Sequence, residues 1–277
     1  MTWTQTTDLD EFTAAAGEFL RAQPVAHTLH LTTADGLRAR GPHAFGYADP
    51  RFGWWRSDGG DVTAAFLHTP PRPLMLTGVP ADAQPSLVDV LTGVDAFHAE
   101  RGDAEAIAAQ WCRRTGGAAD MTAASRLYRL GELTPPDPAP PGRARVATPD
   151  DHALLLRWYE SFHAEIGEEG ANLAQAVDHR ISYGGLLLWE VDGIPVSMAG
   201  RTEPAAGMVR VAPVFTPREV RGRGYAAGAT VAVSRAAARL ADVVLLFTDL
   251  DNPTSNRLYQ RLGYRPVVDR HLITLHP

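Results

Sequence analysis

The sequence predicts an α/β protein whose second half folds on a mixed sheet flanked by helices. Three observations predict it. Between residues 145 and 275, short apolar runs alternate with stretches of helical period. Two of those runs flank Asp192-Gly193, a two-residue hairpin signal, so they pair antiparallel. Val243 to Phe247 is a continuous apolar run of the kind found in a parallel strand buried on both faces.

The elements of this half follow in order. Arg145 to Ala147 is a short strand. Thr148 caps a helix with Pro149 at its first position and Asp150 and Asp151 in its first turn. Leu154, Leu155, Trp158 and Phe162 recur on one helical face. Gly167 and Gly170 bracket a break, and a second helix runs from Asn172 to Ser182. Leu186 to Val191 and Ile194 to Arg201 are the hairpin strands, and Met208 to Thr216 is another strand. Tyr225 to Leu240 is an alanine-rich helix, and Val243 to Asp249 a buried strand. Pro253 to Leu262 is a short helix capped by Asn252 and stopped by Gly263. Arg265 to Val268 and Leu272 to Leu275 close the chain as a last hairpin. The predicted order is β-α-α-β-β-β-α-β-α-β-β.

The first half reads less clearly. Asp8 to Leu20 has the pattern of an amphipathic helix. Val25 to Thr33, Arg51 to Arg56, Val62 to Leu67 and Leu74 to Gly78 read as strands, the middle pair joined at Ser57-Asp-Gly-Gly60. Helices are expected over Ser86 to Glu100 and Ala104 to Thr115, then a strand over Arg126 to Leu130. The order loosely echoes the second half. Phe-His-Ala-Glu occurs at 97–100 and at 162–165, a repeat too short to carry weight. His27-x-x-His30 has no thiol or further histidine at metal spacing, so it reads as strand and surface chemistry and no metal site is expected.

The 277 residues suffice for two domains of about 130–140 residues. Thr134 to Gly142 holds five prolines in nine residues, which favours extended chain. The expected partition is therefore 1–133, a linker at 134–142, and 143–277, with a proline-rich internal loop as the alternative. The start of the chain lacks a signal-peptide pattern and no apolar run is long enough to span a bilayer, so a cytoplasmic protein away from membranes is expected. One cysteine, Cys112, excludes an internal disulfide. Every basic residue is arginine, which excludes a Schiff-base or P-loop lysine. The net charge of −6 argues against a general nucleic-acid binder. Residues 1–142 hold 11 arginines against 17 acids, and residues 143–277 hold 15 against 15. The second half is thus neutral overall and is read on local charge.

Local charge concentrates in Val214-Phe-Thr-Pro-Arg-Glu-Val-Arg-Gly-Arg-Gly-Tyr-Ala-Ala-Gly228, which runs from a strand through a glycine loop into a helix. The first amides of a helix lack intrahelical partners, and the dipole adds positive charge there. Gly222 and Gly224 remove side chains that would keep a phosphate from those amides, and Arg221 and Arg223 add charged donors. A diphosphate suits such a site. An exposed turn with solvated arginines is the plain alternative. A dinucleotide reading also exists, because Gly222, Gly224 and Gly228 are followed by Asp249 at ribose-binding distance. Against it, five residues (217–221) separate strand from glycines, Thr216-Pro-Arg-Glu219 resembles a capping box of its own, and the preceding elements are hairpins.

The second motif is Asn252-Pro-Thr-Ser-Asn256-Arg-Leu-Tyr259-Gln-Arg-Leu-Gly263-Tyr264. Positions 252, 256, 259 and 263 share one helical face, with Leu258 and Leu262 turned to the core. Asn252 is an N-cap by pattern, and Tyr259 alone reads equally as a half-buried tyrosine.

Together the two segments resemble the GNAT family, the GCN5-related N-acetyltransferases. Val220-Arg221-Gly222-Arg223-Gly224-Tyr225-Ala226 matches the glycine portion of the family's (Q/R)-x-x-G-x-(G/A) motif. Asn252, Ser255, Tyr259 and Gly263-Tyr264 match its N-x-x-A-x-x-x-Y helix, with serine for the frequent alanine. Glu219 stands where the family has Gln or Arg. The resemblance covers about 143–277 and implies a GNAT-like acyl-CoA N-acyltransferase fold there. It implies acetyl-CoA as donor, no metal, and a primary amine as acceptor. By resemblance the backbone of Val214, Phe215 and Thr216 holds pantetheine and the thioester oxygen. Arg221 to Ala226 hold the pyrophosphate, Asn252 and Asn256 line the cofactor side, and Tyr259 protonates the departing thiolate. The only cysteine lies in the other half, which favours direct transfer. Met208 to Thr216 holds no carboxylate for a general base. Glu165, Glu168 and Glu169 read first as a solvated acidic helix end, and otherwise as candidates to relay a proton or to attract a cationic amine. The first half matches no GNAT motif and is expected to be a degenerate second copy, as in tandem GNAT proteins, or an unrelated domain. Two other functions remain open: a CoA-binding sensor without turnover, and a dinucleotide-binding oxidoreductase.

Overall fold

The computed structural model describes residues 2–167 and 172–277. Its elements are β1 (Thr4–Thr6), α1 (Leu9–Ala22), α2 (Thr28–Arg40), β2 (Arg51–Arg56), β3 (Val62–His68), β4 (Leu74–Leu76), α3 (Gln84–Val90), β5 (Ala96–Glu100), α4 (Arg101–Thr115) and β6 (Ala118–Leu130). They continue with β7 (Arg143–Val146), α5 (His152–Ile166), α6 (Leu173–Ser182), β8 (Leu186–Val191), β9 (Ile194–Arg201), β10 (Met208–Phe215), α7 (Tyr225–Ala238), β11 (Val243–Asp249), α8 (Pro253–Arg261) and β12 (Tyr264–His276). The same order, β-α-α-β-β-β-α-β-α-β, occurs twice.

The chain forms two compact units. One comprises Met1–Leu127, Asp249–Asp251 and Val267–Pro277, and the other Tyr128–Thr248 and Asn252–Pro266. The proline-rich segment expected as a junction lies inside the second unit, where Thr134 N donates to Leu262 O and the Trp189 indole donates to Pro141 O.

In the first unit the strands run β1-β2-β3-β4-β5-β12, antiparallel except for β4 with β5. Ile273 and Leu275 of β12 enter an apolar core with Phe66, Leu87, Phe97 and Trp111. Phe12 of α1 stacks on Phe52 at 5.1 Å.

Four expectations for secondary structure are corrected. Val25 to Thr33 is not a strand; α2 forms because His27, Thr28, His30, Leu31, Ala34 and Leu37 are buried at helical spacing. His27 and His30 are accordingly buried, bonding Leu20 O and Met75 O, and burial lowers the His30 pKa to about 3. The helix expected over Ser86 to Glu100 stops at Val90. Gly93 takes φ +73, and Phe97 and Ala99 then bury with the period of two of β5. The strand expected from Arg126 begins at Ala118. The closing hairpin is one strand, β12. Its charged middle reads like a turn, yet each charge has a partner: Asp269 binds Arg126 through both oxygens, and Arg270 donates to Leu76 O.

In the second unit β7, β8, β9 and β10 are antiparallel neighbours, and β11 joins parallel to β10. Asp192 (φ 50) and Gly193 (φ 78) make the β8–β9 turn that the dipeptide predicts. Leu155, Trp158, Tyr159 and Val177 of α5 and α6 pack with Leu186, Leu188, Met198 and Phe215 on one side. Val231, Val233 and Ala237 of α7 pack with Val209, Val211, Val244 and Leu246. Gly228 lets α7 approach β8, since a Cβ there would lie 2.8 Å from the Trp189 indole. No helix among the described residues is long and apolar enough to cross a membrane.

The entry to α5 is held by charge. The Thr148–Asp151 capping box forms, and Arg145 donates to both Asp151 oxygens at 2.6 and 2.7 Å and to Glu190 at 2.6 Å. The hydrogen bonds from Arg145 hold the Asp151 carboxyl at about 2 against an ordinary 3.8. A depressed carboxyl pKa stabilises the fold above its unfolded value, and that contribution is lost as pH falls through the folded one. Acid unfolding should therefore draw on Asp151 between about pH 4 and pH 2. In urea titrations across that window, Asp151→Asn should be less stable than wild type at neutral pH and show a flatter pH dependence. An unchanged slope would exclude Asp151 as a source of it.

Candidate functional site

The site begins where two strands part. β10 pairs with β11 over Met208–Arg210 against Val243–Leu245, yet it stays paired with β9 as far as Phe215. A bulge between Val211 and Val214 changes which face each side chain takes. Val214 therefore packs into the α7 core, while Phe215 packs toward α5, with its ring 6.1 Å from Trp158. Thr216 is buried, and its hydroxyl meets Ser197 Oγ at 2.9 Å; the same Ser197 also reaches Phe215 O.

After β10 comes a single 3₁₀ turn, Arg218–Val220. This is the separate turn that Thr216 to Glu219 suggested, but it lacks the capping box: Pro217 takes the cap position and has no side-chain bond to give. Gly222 (φ +77) and Gly224 (φ +82) both occupy the left-handed region, so the loop needs glycine there for backbone reasons as well as for access. Gly224 is the N-cap of α7 and accepts from Gly228 N at 3.1 Å. The amides of Tyr225 and Ala226 begin α7, where helix geometry leaves them without intrahelical partners. Tyr225 is buried beneath the loop, and Arg221 to Gly224 are exposed. A Cβ on Gly222 would meet nothing within 4 Å, whereas one on Gly224 would come within 3.3 Å of Pro140.

The loop arginines differ in what they touch. Arg221 donates from Nε to Thr216 O at 2.8 Å and from one terminal nitrogen to both Glu165 oxygens at 2.8 and 2.7 Å. Its guanidinium stands 5.8 Å from the Phe215 ring centre. Arg218 reaches Glu165 at 3.1 Å. Glu165 feels burial, which raises its pKa, but the bonds from Arg221 and Arg218 outweigh it and hold the carboxyl below its ordinary value. Sequence marked Glu165 as an acid at a helix end without indicating these partners. Glu168 and Glu169 lie outside the described residues.

On α8, Asn252 Oδ1 caps the helix by accepting from Ser255 N at 3.0 Å. Asn256 Nδ2 donates to Asn252 O, and Asn256 Oδ1 accepts from the Tyr128 hydroxyl at 2.9 Å, to which Gln260 also donates. Tyr128 thus anchors α8 from a strand that sequence reasoning gave no role; nothing in the spacing of residues 128 and 256 signals it. Tyr259 is buried and shares an apolar cluster with Val214, Leu262 and Tyr264. Its hydroxyl has no hydrogen-bond partner among the described residues. Burial raises its pKa to about 12. The strands β7 to β10 are antiparallel, unlike the doubly wound parallel sheet that a dinucleotide site requires.

Residues 198–272 match the family model described as FR47-like protein. No curated protein sequence matches the chain. Among solved structures, a GNAT-family acetyltransferase from Colwellia psychrerythraea aligns with TM-score 0.60 and 11% identity over 100% of both chains. A GCN5-related N-acetyltransferase from Sphaerobacter thermophilus aligns with TM-score 0.60 and 16% identity, over 99% of this chain and 96% of the other. A tandem GNAT protein from the clavulanic acid biosynthesis pathway aligns with TM-score 0.54 and 13% identity, over 99% and 97%. The splayed β10, the glycine loop and α8 all fall within the FR47-like segment, and the chain has the GNAT acetyltransferase fold along its whole length.

Proposed function

We propose that the chain is a cytoplasmic acetyl-CoA-dependent N-acetyltransferase whose chemistry lies in its second half and whose acceptor is a primary amine. The observation that carries this reading is the parting of β10 from β11 just before a glycine loop at the start of α7. A parted strand offers unpaired backbone groups to a ligand lying between the strands, and the loop offers amides and charge to a diphosphate.

On this reading the amides of Val214, Phe215 and Thr216 face pantetheine and the thioester oxygen. Donors aimed at a developing oxyanion contribute roughly 3 kcal/mol to such a reaction. Arg221, Gly222, Arg223, Gly224, Tyr225 and Ala226 hold the pyrophosphate. Asn252 and Asn256 line the cofactor side on this reading and also fix the start of α8, which carries Tyr259. The amine attacks as its free base, the carbon–nitrogen bond forms as the carbon–sulfur bond breaks, and Tyr259 gives a proton to the thiolate while taking up the one the nitrogen loses. Cys112 belongs to the other unit, which favours transfer without an acyl-enzyme. The first unit holds no donor on this proposal. Residues 77–83 replace the glycine loop there, and the Leu76 carbonyl at the end of β4 is already taken by Arg270.

A second reading, a CoA-binding sensor without turnover, draws support from the burial of Tyr259. The measurements separate the two. Acetyl-CoA at ~100 times its dissociation constant should stabilise the protein by about 2.7 kcal/mol in thermal unfolding, and Gly222→Glu should abolish the shift. The absence of any shift with CoA or acetyl-CoA would end the acyltransferase reading. Tyr259→Phe should keep stability and CoA affinity, because the hydroxyl has no partner among the described residues to lose, while acetyl transfer to a responsive amine falls about 10²-fold. CoA binding with no transfer to any amine would select the sensor.

A further inference from the structure

We infer that Glu165 is a built-in competitor for the arginines of the glycine loop, and that the donor's pyrophosphate must displace it. The inference rests on the proposed reading of that loop as the donor site.

Glu165 lies in the last turn of α5, where the helix dipole disfavours a negative charge. Its position is therefore not explained by the helix that carries it. What holds the carboxylate is the loop: both oxygens on Arg221 and one on Arg218, with the side chain 28% exposed. A carboxylate on a guanidinium makes the same charge-assisted contacts that a phosphate oxygen makes. The resting molecule thus already contains the interaction expected of the ligand, made by its own side chain.

Charge around the loop supports competition. Arg218, Arg221 and Arg223 stand against Glu219 and Glu165, so three cations meet two carboxylates. A diphosphate arriving at this group meets a smaller net attraction than the arginines alone would exert. If Glu165 yields, one carboxylate leaves the arginines as the phosphates bind. If Glu165 stays, it repels the ligand at close range. Both routes weaken donor binding relative to a chain without that charge.

Arg221 is additionally tied to Thr216 O, and that bond involves Nε, not the terminal nitrogen on Glu165. Releasing Glu165 therefore leaves Arg221 anchored at the mouth of the parted strands with a terminal nitrogen turned over to the ligand. The opposite possibility is that Glu165 serves as a strut that presents Arg221 correctly. The two ideas predict opposite signs for one substitution.

The test is calorimetric titration of CoA into wild type, Glu165→Gln and Glu165→Ala, at low and high salt, with circular dichroism confirming that each variant is folded. Competition predicts that both variants bind CoA about three- to tenfold more tightly than wild type at low salt, the scale of partly exposed ion pairs. The gain should shrink at high salt, because screening weakens the repulsion being removed. Equal or weaker binding by the folded variants would overturn the inference and identify Glu165 as a strut. A gain insensitive to salt would also overturn it. CoA binding by none of the three proteins would instead refute the donor-site reading on which it depends.

Discussion

The parting of β10 from β11 is the constraint around which the second unit is organised. A strand that leaves its neighbour exposes backbone groups that must find other partners. On its other side the strand is held fast: Ser197 of β9 donates to Phe215 O, and Arg180 donates to Ala212 O within the bulge at 2.8 Å and to Arg201 O of β9 at 2.7 Å. The bulge between Val211 and Val214 then sends adjacent side chains into different cores, Val214 toward α7 and Phe215 toward α5. Each core pulls on its own residue, so closing the gap would mean emptying one of them. The opening is thus a packed feature and not a frayed edge, and the loop that follows inherits its position from it.

Electrostatics act on this frame locally. The second half has equal numbers of arginines and acids, yet the loop gathers arginines while Glu165 is borrowed from α5. The same economy appears at the other end of α5, where Arg145 joins Asp151 and Glu190. The two ion groups differ in exposure. Asp151 and Glu190 are largely shielded, so breaking that group leaves buried charge behind and threatens the fold. Arg218 and Arg221 are substantially open to water, so their contacts to Glu165 can exchange at small cost. A fixed ion group at one end of the helix and an exchangeable one at the other suit a helix that keeps its seat while its last turn changes partners.

Much of this was legible in the sequence because the signals are local. Asp192-Gly193 specifies a turn, Thr148 to Asp151 a cap, and Asn252 another cap, each within four residues. Gly222 and Gly224 announce the loop because only glycine takes their backbone angles easily. What could not be read is non-local. Arg270 meets a carbonyl 194 residues away, and Tyr128 meets an amide 128 residues away. The charged middle of β12 looks like a turn until β5 and Arg126 are beside it. Within the site, the position of Tyr259 on its helix was legible, but its burial was not, because Val214, Leu262 and Tyr264 reach it from other elements or later residues. Glu165 was visible as an acid, while its bond to Arg221 spans 56 residues.

The burial of Tyr259 bears directly on the proposed chemistry. A phenol at about 12 keeps its proton at any physiological pH, which an acid must do before it acts. The same value makes it a poor donor to a thiolate, since an ordinary thiol ionises near ~8.5. Outright transfer would leave a phenolate in an apolar cluster, the state that burial disfavours most. The difficulty disappears if the phenol relays. When the amine adds to the thioester, its nitrogen becomes strongly acidic, and that proton has to leave. A hydroxyl that gives one proton to sulfur while taking one from nitrogen never stands as phenolate. Among the described residues the hydroxyl of Tyr259 has no hydrogen-bond partner to hold it back from either role. On the proposed reaction, then, burial is compatible with catalysis only if donation and uptake at Tyr259 are concerted, and this also explains why β10 needs no carboxylate of its own as a base.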